Sequence, residues 1–477
     1  MHKKMHNKFS DIAIVLLIFV FSPSHAELPE LGDPTKKELS SFDEYLMGKQ
    51  FYQTLRSNIP FVEDLIVNDY LTTLGQKLVS QTDQSNKQFH FFILKIPSIN
   101  AFAGPDAYIG IHTGLILSAQ NESELAGVLA HEISHVTQRH LARAMTDSST
   151  SPGVGFAAIL AGILVSAQNP AAGAAIIYGS AAGMMQSQIN FTRQNEYEAD
   201  RIAISVLRNT NISPDGMANF FETLLAKAES SNELAQIEYL RTHPLSSTRI
   251  AESKHRILES DHSLPTDSLN FQLTKARVMV ETAPSLDDLM TRYKSIPKNQ
   301  LGISDQYAMA IALIAHDNHQ QAVELLKPLI QRNDHPWFQL ALAKAYEHNN
   351  QAKLALKTLD SLNQTLPNYL PVCIEYALLL NSQGNYERSL ILLKRMLQYQ
   401  KHPVIYETLA QTYYGKGLIG AALEATSYQY EQEGYLKLAA QQIENAVKQP
   451  DLDATAYQRL ESRKAALLEQ LKREKIN

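Results

Sequence analysis

Tyr346, Leu380 and Tyr414 lie 34 residues apart, and so do Asn350, Gly384 and Leu418. Ala355 and Ser389 keep the same spacing, with Ala421 and Ala422 just ahead of the third place, and Pro367 and Pro403 close successive units. An aromatic residue or Leu, then a turn residue, then a small residue at this period describes a helical hairpin that cannot bury its apolar face alone. Stacking on neighbours is what buries that face, and the stack leaves a curved groove. This one feature commits the C-terminal half of the chain to a helical array.

The period is that of tetratricopeptide repeats. Residues 303–330 and 434–446 read as weaker flanking units, and residues 453–475 as a polar-rich capping helix. The 477-residue length has room for a second domain ahead of the array, and 44% apolar residues suffice for a large core. A net charge of −6, with the two signs mixed along the chain, offers no basic block for nucleic acid. Cys373 is the only cysteine, so no internal disulfide can form.

The N-terminus speaks about compartment. Three lysines precede residue 9, residues 12–21 are an unbroken run of ten apolar residues, and Ser24-His25-Ala26 offers small residues at the −3 and −1 positions of a cleavage site. This is the layout of a secretory signal, too short to span a bilayer, with cleavage near Ala26. An uncleaved anchor is the competing reading.

Between the signal and the array the pattern is mixed. Residues 31–80 recur with helical spacing. Residues 89–96, 100–103 and 108–112 read as short strands, the last two joined by a turn at Gly104-Pro105-Asp106. Residues 115–144 read as one helix, with Asn121 as a cap and Glu124 reaching back. Residues 152–185 are nearly uncharged and rich in Gly and Ala, and Asn169-Pro170 divides them. They read as a helical hairpin folded on the domain, or as an apolar surface for peripheral membrane contact or for an unfolded client. Residues 191–207 read as a helix, and Ser213-Pro214-Asp215 opens the next. Residues 261–266 are polar with one proline and read as a linker.

The chemistry concentrates in His131-Glu132-Ile133-Ser134-His135, flanked by apolar Leu129, Ala130 and Val136. Residues four apart share a helix face, so both imidazoles can reach one Zn²⁺. Glu132, one position along, can act as general base without binding metal. A catalytic zinc site takes three protein ligands. No third His follows within the span of the longer zincin motif, so the third ligand comes from elsewhere. Glu196 is the best candidate, 61 residues after His135. Asp200 shares its face and can accept the outer N–H of a ligand His.

With Asn100-Ala101-Phe102-Ala103 upstream and Glu-x-Glu-Ala-Asp downstream, these motifs resemble the M48 family of zinc peptidases. The resemblance implies an α+β chain, mostly α: a zincin-like metallopeptidase domain with a small sheet over residues 27–260 behind the signal peptide 1–26, then an α-helical repeat solenoid over 267–477. It implies one Zn²⁺ per chain held by His131, His135 and Glu196, with Glu132 as catalytic base and Asn100, Ala101, Phe102 and Ala103 as a strand that pairs with substrate. His243-Pro244 followed by Arg249 matches a further family element, and both side chains could donate to the oxyanion. His243 could instead fill the open metal position and keep the enzyme latent. The remaining histidines, His112 and His140 among them, read as structural or solvated. Secretion together with repeats resembles the periplasmic members of the family. Their clients would be unfolded or misassembled outer-membrane proteins, and the repeats would contact the outer-membrane β-barrel assembly machinery. The rival reading is a chaperone or adaptor in which proteolysis is incidental.

Overall fold

The structure, a computed structural model, describes residues 40–147, 160–165, 185–230, 237–297 and 300–476. The export segment expected over 1–26 and most of 152–185 lie outside the described residues.

Helices α1 (Ser41–Asn58) and α2 (Leu65–Val79) start at side-chain caps. Ser40 Oγ accepts from the Asp43 N–H, and Asp64 Oδ1 accepts from the Ile66 and Val67 N–H groups. Pro60 falls in the extended stretch that separates them. Strands β1 (His90–Leu94), β2 (Ala101–Ala103) and β3 (Tyr108–His112) form a sheet of order β1-β3-β2, with β1 parallel and β2 antiparallel to β3. β2 is therefore an edge. Phe102 pairs with Gly110, and Gly104 N–H to Tyr108 O and His112 N–H to Asn100 O bracket that pair. Antiparallel pairing alternates, so Ala101 and Ala103 turn their backbone N–H and C=O groups to the side of β2 away from β3, where no further strand lies among the described residues.

The single helix expected over 115–144 is three. α3 (Thr113–Ser118) ends before Asn121, α4 (Glu122–Thr137) carries the His-Glu motif, and α5 (His140–Asp147) follows Arg139, whose φ is +53°. Asn121 Oδ1 caps α4 by accepting from the Glu124 N–H at 3.1 Å, while Glu124 reaches one residue past the cap to the Gln120 N–H at 2.8 Å. Every residue from Ser123 to Ser134 is buried, so α4 is a core helix on all sides. Leu125, Leu129 and Ile133 are at most 1% exposed, and each contributes on the order of 1.5–3 kcal/mol of burial. A Cβ at Gly127 would sit 2.8 Å from Met217 Cα, so glycine there lets α4 approach the helix α7 (Asp215–Ser230). α6 (Met185–Asn209) packs along the other side of α4. The described part of the Gly/Ala-rich segment, 160–165, is helical, and its Ile163 packs with Phe51, Phe92 and Phe102.

Residues 261–266 are docked rather than free. Asp261 is 2% exposed and pairs with Arg208 at 2.7 Å. The carbonyls of Pro265 and Thr266 accept from the Ser213 and Ser123 N–H groups at 2.9 and 2.8 Å. A charged partner and backbone acceptors inside the fold outweigh the local turn chemistry.

Beyond it, hairpins pair Ile303–Ala315 with His319–Arg332, Pro336–His348 with Ala352–Thr365, Leu370–Ser382 with Tyr386–Met396, and Pro403–Gly415 with Ile419–Gln432. An additional pair, Leu269–Glu281 and Leu286–Ser295, precedes them. The left-handed turn residues are Asp317, Asn350, Gly384 and Gly417. Gly417, not Leu418, thus occupies the third turn, because glycine adopts positive φ without a steric cost. Pro403 opens a helix rather than closing a unit. The final helix, Ala454–Ile476, buries Leu460 and Leu467 against Leu436 and Ile443. It returns to α1, where Lys49 Nζ meets Glu474 at 2.7 Å and Gln53 Nε2 donates to the Gly434 carbonyl at 2.8 Å.

Candidate metal centre

α4 presents His131 and His135 on one face, and α6 brings Glu196 against them. The short helix α8 (Tyr239–Thr242) delivers His243 at its C-terminal cap. One ligating atom from each of His131, His135, Glu196 and His243 lies within 4.8 Å of all the others. His131 Nε2 is 3.0 Å from His135 Nε2 and 3.3 Å from His243 Nδ1. Glu196 Oε1 is 3.1 Å from His243 Nδ1 and 3.4 Å from His135 Nε2, and Oε2 is 3.4 Å from His131 Nε2. Donors bound at about 2.0–2.1 Å to one tetrahedral ion stand about 3.3–3.4 Å from each other. The set therefore fits a Zn²⁺ ion by spacing and by chemistry, with three imidazole nitrogens and a carboxylate oxygen facing one point.

Around the donors, Asp200 Oδ1 lies 2.9 Å from His131 Nδ1. Arg249, at the first turn of α9 (Ser247–Arg256), holds that aspartate with Nε and Nη2 at 2.8 Å each. Its Nη1 reaches Glu196 Oε2 at 2.8 Å and the Pro244 carbonyl at 2.9 Å. These contacts favour a supporting role for Arg249 over the expected oxyanion role. Its donors are engaged by the carboxylates and by the His-Pro turn, and the side chain is 3% exposed, so it supports the site from behind. Glu132 is 1% exposed, and its Oε1 has no hydrogen-bond partner among the described residues. His243 Nε2 stands 3.4 Å from that oxygen, and the Ala103 N–H on the edge strand bonds the same carboxylate. Asn100 is buried beside this edge, and the Phe102 side chain points into the aromatic cluster with Phe51 and Phe92.

Residues 66–257 match the profile of Peptidase family M48, and residues 313–381 match that of the Tetratricopeptide repeat. The chain is 35% identical over 362 residues to the Beta-barrel assembly-enhancing protease of Escherichia coli (strain K12), across 73% of this chain and 74% of that protein. The chain belongs to peptidase family M48. The protein of the same name from Yersinia pestis is 32% identical over 389 residues, 72% of this chain and 79% of its own. Metalloprotease LoiP of Escherichia coli (strain K12) is 27% identical over 187 residues, 39% of this chain and 69% of its own. The chain is thus a metalloendopeptidase of a zinc-dependent family, with a helical-repeat array behind its peptidase fold. Among the described residues, no helix is long and apolar enough to cross a membrane.

The electrostatics of this M48 centre favour a cation. Burial works against ionised carboxyls, yet His243, His131 and His135 hold Glu196 well below the usual carboxylate range. Burial likewise opposes a charged Asp200, and His131 and Arg249 outweigh it and lower its pKa. For His131, burial disfavours the imidazolium, but Asp200 and Glu196 prevail and raise its pKa to about 10. The buried Asp200 and Glu196 carboxylates thus call for positive charge at this point. Burial pushes His135 down to about 3, leaving it a neutral donor. Burial also raises the Glu132 carboxyl, against the pull of His243 and His131. That is the direction a general base working near neutral pH requires.

The sequence reading took His140 as structural or solvated and gave Glu198 no role. His140 Nδ1 lies 2.8 Å from His135 Nδ1, and His140 Nε2 lies 3.1 Å from Glu198 Oε2. Helical periodicity pointed away from this contact, since five residues fall about 140° beyond a full turn; the break at Arg139 creates it. His112, by contrast, is a buried structural histidine, with Nδ1 2.9 Å from Ser98 Oγ.

Proposed function

We propose that this chain is a periplasmic zinc endopeptidase, with a peptidase domain over 27–260 and repeats over 267–477, that degrades outer-membrane β-barrel precursors that fail to assemble. The relatives' name, Beta-barrel assembly-enhancing protease, and the export pattern before Ala26 support that setting. The convergence of His131, His135, Glu196 and His243 on one point carries the reading.

When bound, zinc supplies Lewis acidity that polarises the scissile carbonyl and acidifies water. The chain's residues do the rest. Glu132 takes the water proton and delivers it to the leaving amine. Strand β2 offers an extended peptide its outward backbone groups, the Ala103 N–H excepted because Glu132 holds it, and such pairing reads conformation rather than sequence. Such pairing suits unfolded β-barrel segments. Phe102 anchors the strand from behind. Arg249 and Asp200 keep Glu196 and His131 in place.

His243 makes the described state latent. With its Nδ1 in the donor set, the four positions of a tetrahedral site are filled by protein, and a closed set of this kind is the mark of an inactive zinc centre. The same observation favours a second reading, a chaperone or adaptor of the assembly machinery whose protease is mostly silent, with the repeats as its partner surface. Metal analysis of the mature protein, with casein cleavage before and after chelation, tests the first reading. One zinc per chain and chelator-sensitive cleavage are expected; cleavage that survives complete metal removal would sink it.

A further inference from the structure

We propose that His140 is a positioning residue that, with Glu198, sets the tautomer and orientation of His135 and so tunes how tightly the centre holds its metal. The inference rests on His135 being a metal ligand and goes beyond that reading.

Two neutral imidazoles whose Nδ1 atoms stand 2.8 Å apart can share only one proton, so one nitrogen donates and the other accepts. Glu198 decides which. An ionised carboxylate only accepts, so His140 carries its proton on Nε2, 3.1 Å from Glu198 Oε2. His140 Nδ1 is then the acceptor and His135 Nδ1 the donor. The Nε2 lone pair of His135 is left facing His131 Nε2 and Glu196 Oε1, as a ligand must. With the opposite tautomer, His135 would present an N–H to the cluster and could not ligate.

The fold builds this contact on purpose of geometry rather than by chain proximity. α4 ends at Thr137, Arg139 takes φ +53°, and α5 starts at His140. The reversal folds the His140 ring onto His135, with centroids 4.7 Å apart at 77°. Glu198 arrives on α6, two residues after Glu196, so one helix supplies both a donor to the centre and the anchor of this relay. Arg143 Nη2 also reaches Glu198 Oε2, at 3.3 Å.

The two helix-borne histidines are thus supported differently. His131 leans directly on Asp200, a carboxylate with 5% of its side chain exposed. His135 leans on a neutral ring that relays to Glu198, whose side chain is 32% exposed. His135 is accordingly the ligand whose hold on the metal is adjustable from the surface.

Zinc affinity of the full mature protein, measured by competition with a chelator, tests the relay. His140→Ala should bind zinc about 10–100-fold more weakly than wild type, and His140→Gln, which keeps an acceptor near His135, should regain most of the loss. Glu198→Ala leaves the ring in place and should weaken zinc by a smaller factor. Thermal melting of the metal-free forms should be the same for His140→Ala and His140→Gln. Unchanged zinc affinity in His140→Ala overturns the proposal, and so does an equal loss in His140→Ala and His140→Gln, which would mark a packing effect. If His140→Ala fails to fold, Glu198→Ala decides, with wild-type affinity counting against the relay. A wild-type protein that takes up no zinc would instead refute the metal-centre reading itself.

Discussion

Arg249 and Asp200 meet side-on, with Nε 2.8 Å from Oδ2 and Nη2 2.8 Å from Oδ1, and the same carboxylate holds His131 Nδ1 at 2.9 Å. A planar guanidinium matches two carboxylate oxygens at once, which an ammonium cannot do. Arg249→Ala takes the guanidinium away from buried Asp200 and Glu196, and breaking a buried pair in this way costs about 3–5 kcal/mol. Denaturant unfolding of the metal-free variant should show that loss, and Arg249→Lys should recover only part of it. Wild-type stability with a pure loss of kcat would return Arg249 to an oxyanion role.

His243 divides the two readings of latency. If its ring occupies the metal centre most of the time, His243→Ala should raise casein cleavage roughly 10-fold or more, because the competent fraction grows by that factor. If the ring is a donor to the oxyanion, the same change should lower kcat by about 10²–10³. A rate assay at fixed zinc distinguishes the signs.

Glu132 contributes a base and no metal bond. Glu132→Gln should retain one zinc per chain by metal analysis and lose about 10²–10⁴ in kcat. Complementation in cells then weighs the adaptor reading: full outer-membrane assembly with this variant would put the binding role ahead of proteolysis.

Acid sensitivity should follow His112. Burial lowers its pKa to about 3 from an unfolded value of 6.5, outweighing a hydrogen bond at Ser98 that works to raise it. Between those values the unfolded chain binds a proton that the folded one does not. This contribution to stability is therefore full above pH 6.5 and is lost as pH falls towards 3, at about 1.4 kcal/mol per pH unit. His112→Asn should flatten the fall in urea midpoint over that window. An unchanged slope would place the acid sensitivity elsewhere.

The legibility of this chain in its sequence varied with the range of the forces involved. The hairpins were readable because each is a local contest between apolar periodicity and a turn residue; Asn350 and Gly384 declared their turns by type. Gly417 was displaced by one residue because consecutive units slide between 33 and 34 residues once they pack. The His131–His135 pair was readable because a single helical turn makes the spacing. Glu196 needed the Asp200 companion to single it out from an ordinary acidic face. Arg249 was legible only as a cation near a peptidase motif, which suggests an oxyanion donor; its carboxylate partners appear only in the fold.

What the sequence alone determined is whatever a helix or a turn can enforce by itself: the repeat array and the His-Glu-x-x-His face. Tertiary structure decided the rest. It broke the 115–144 helix at Arg139 to lay His140 on His135, turned the Arg249 guanidinium onto Asp200, Glu196 and the Pro244 carbonyl, and seated His243 Nδ1 3.3 Å from His131 Nε2. Those contacts join residues 5 to 112 positions apart. Their energies depend on desolvation and on angles between separate elements, and neither quantity exists until the chain has folded.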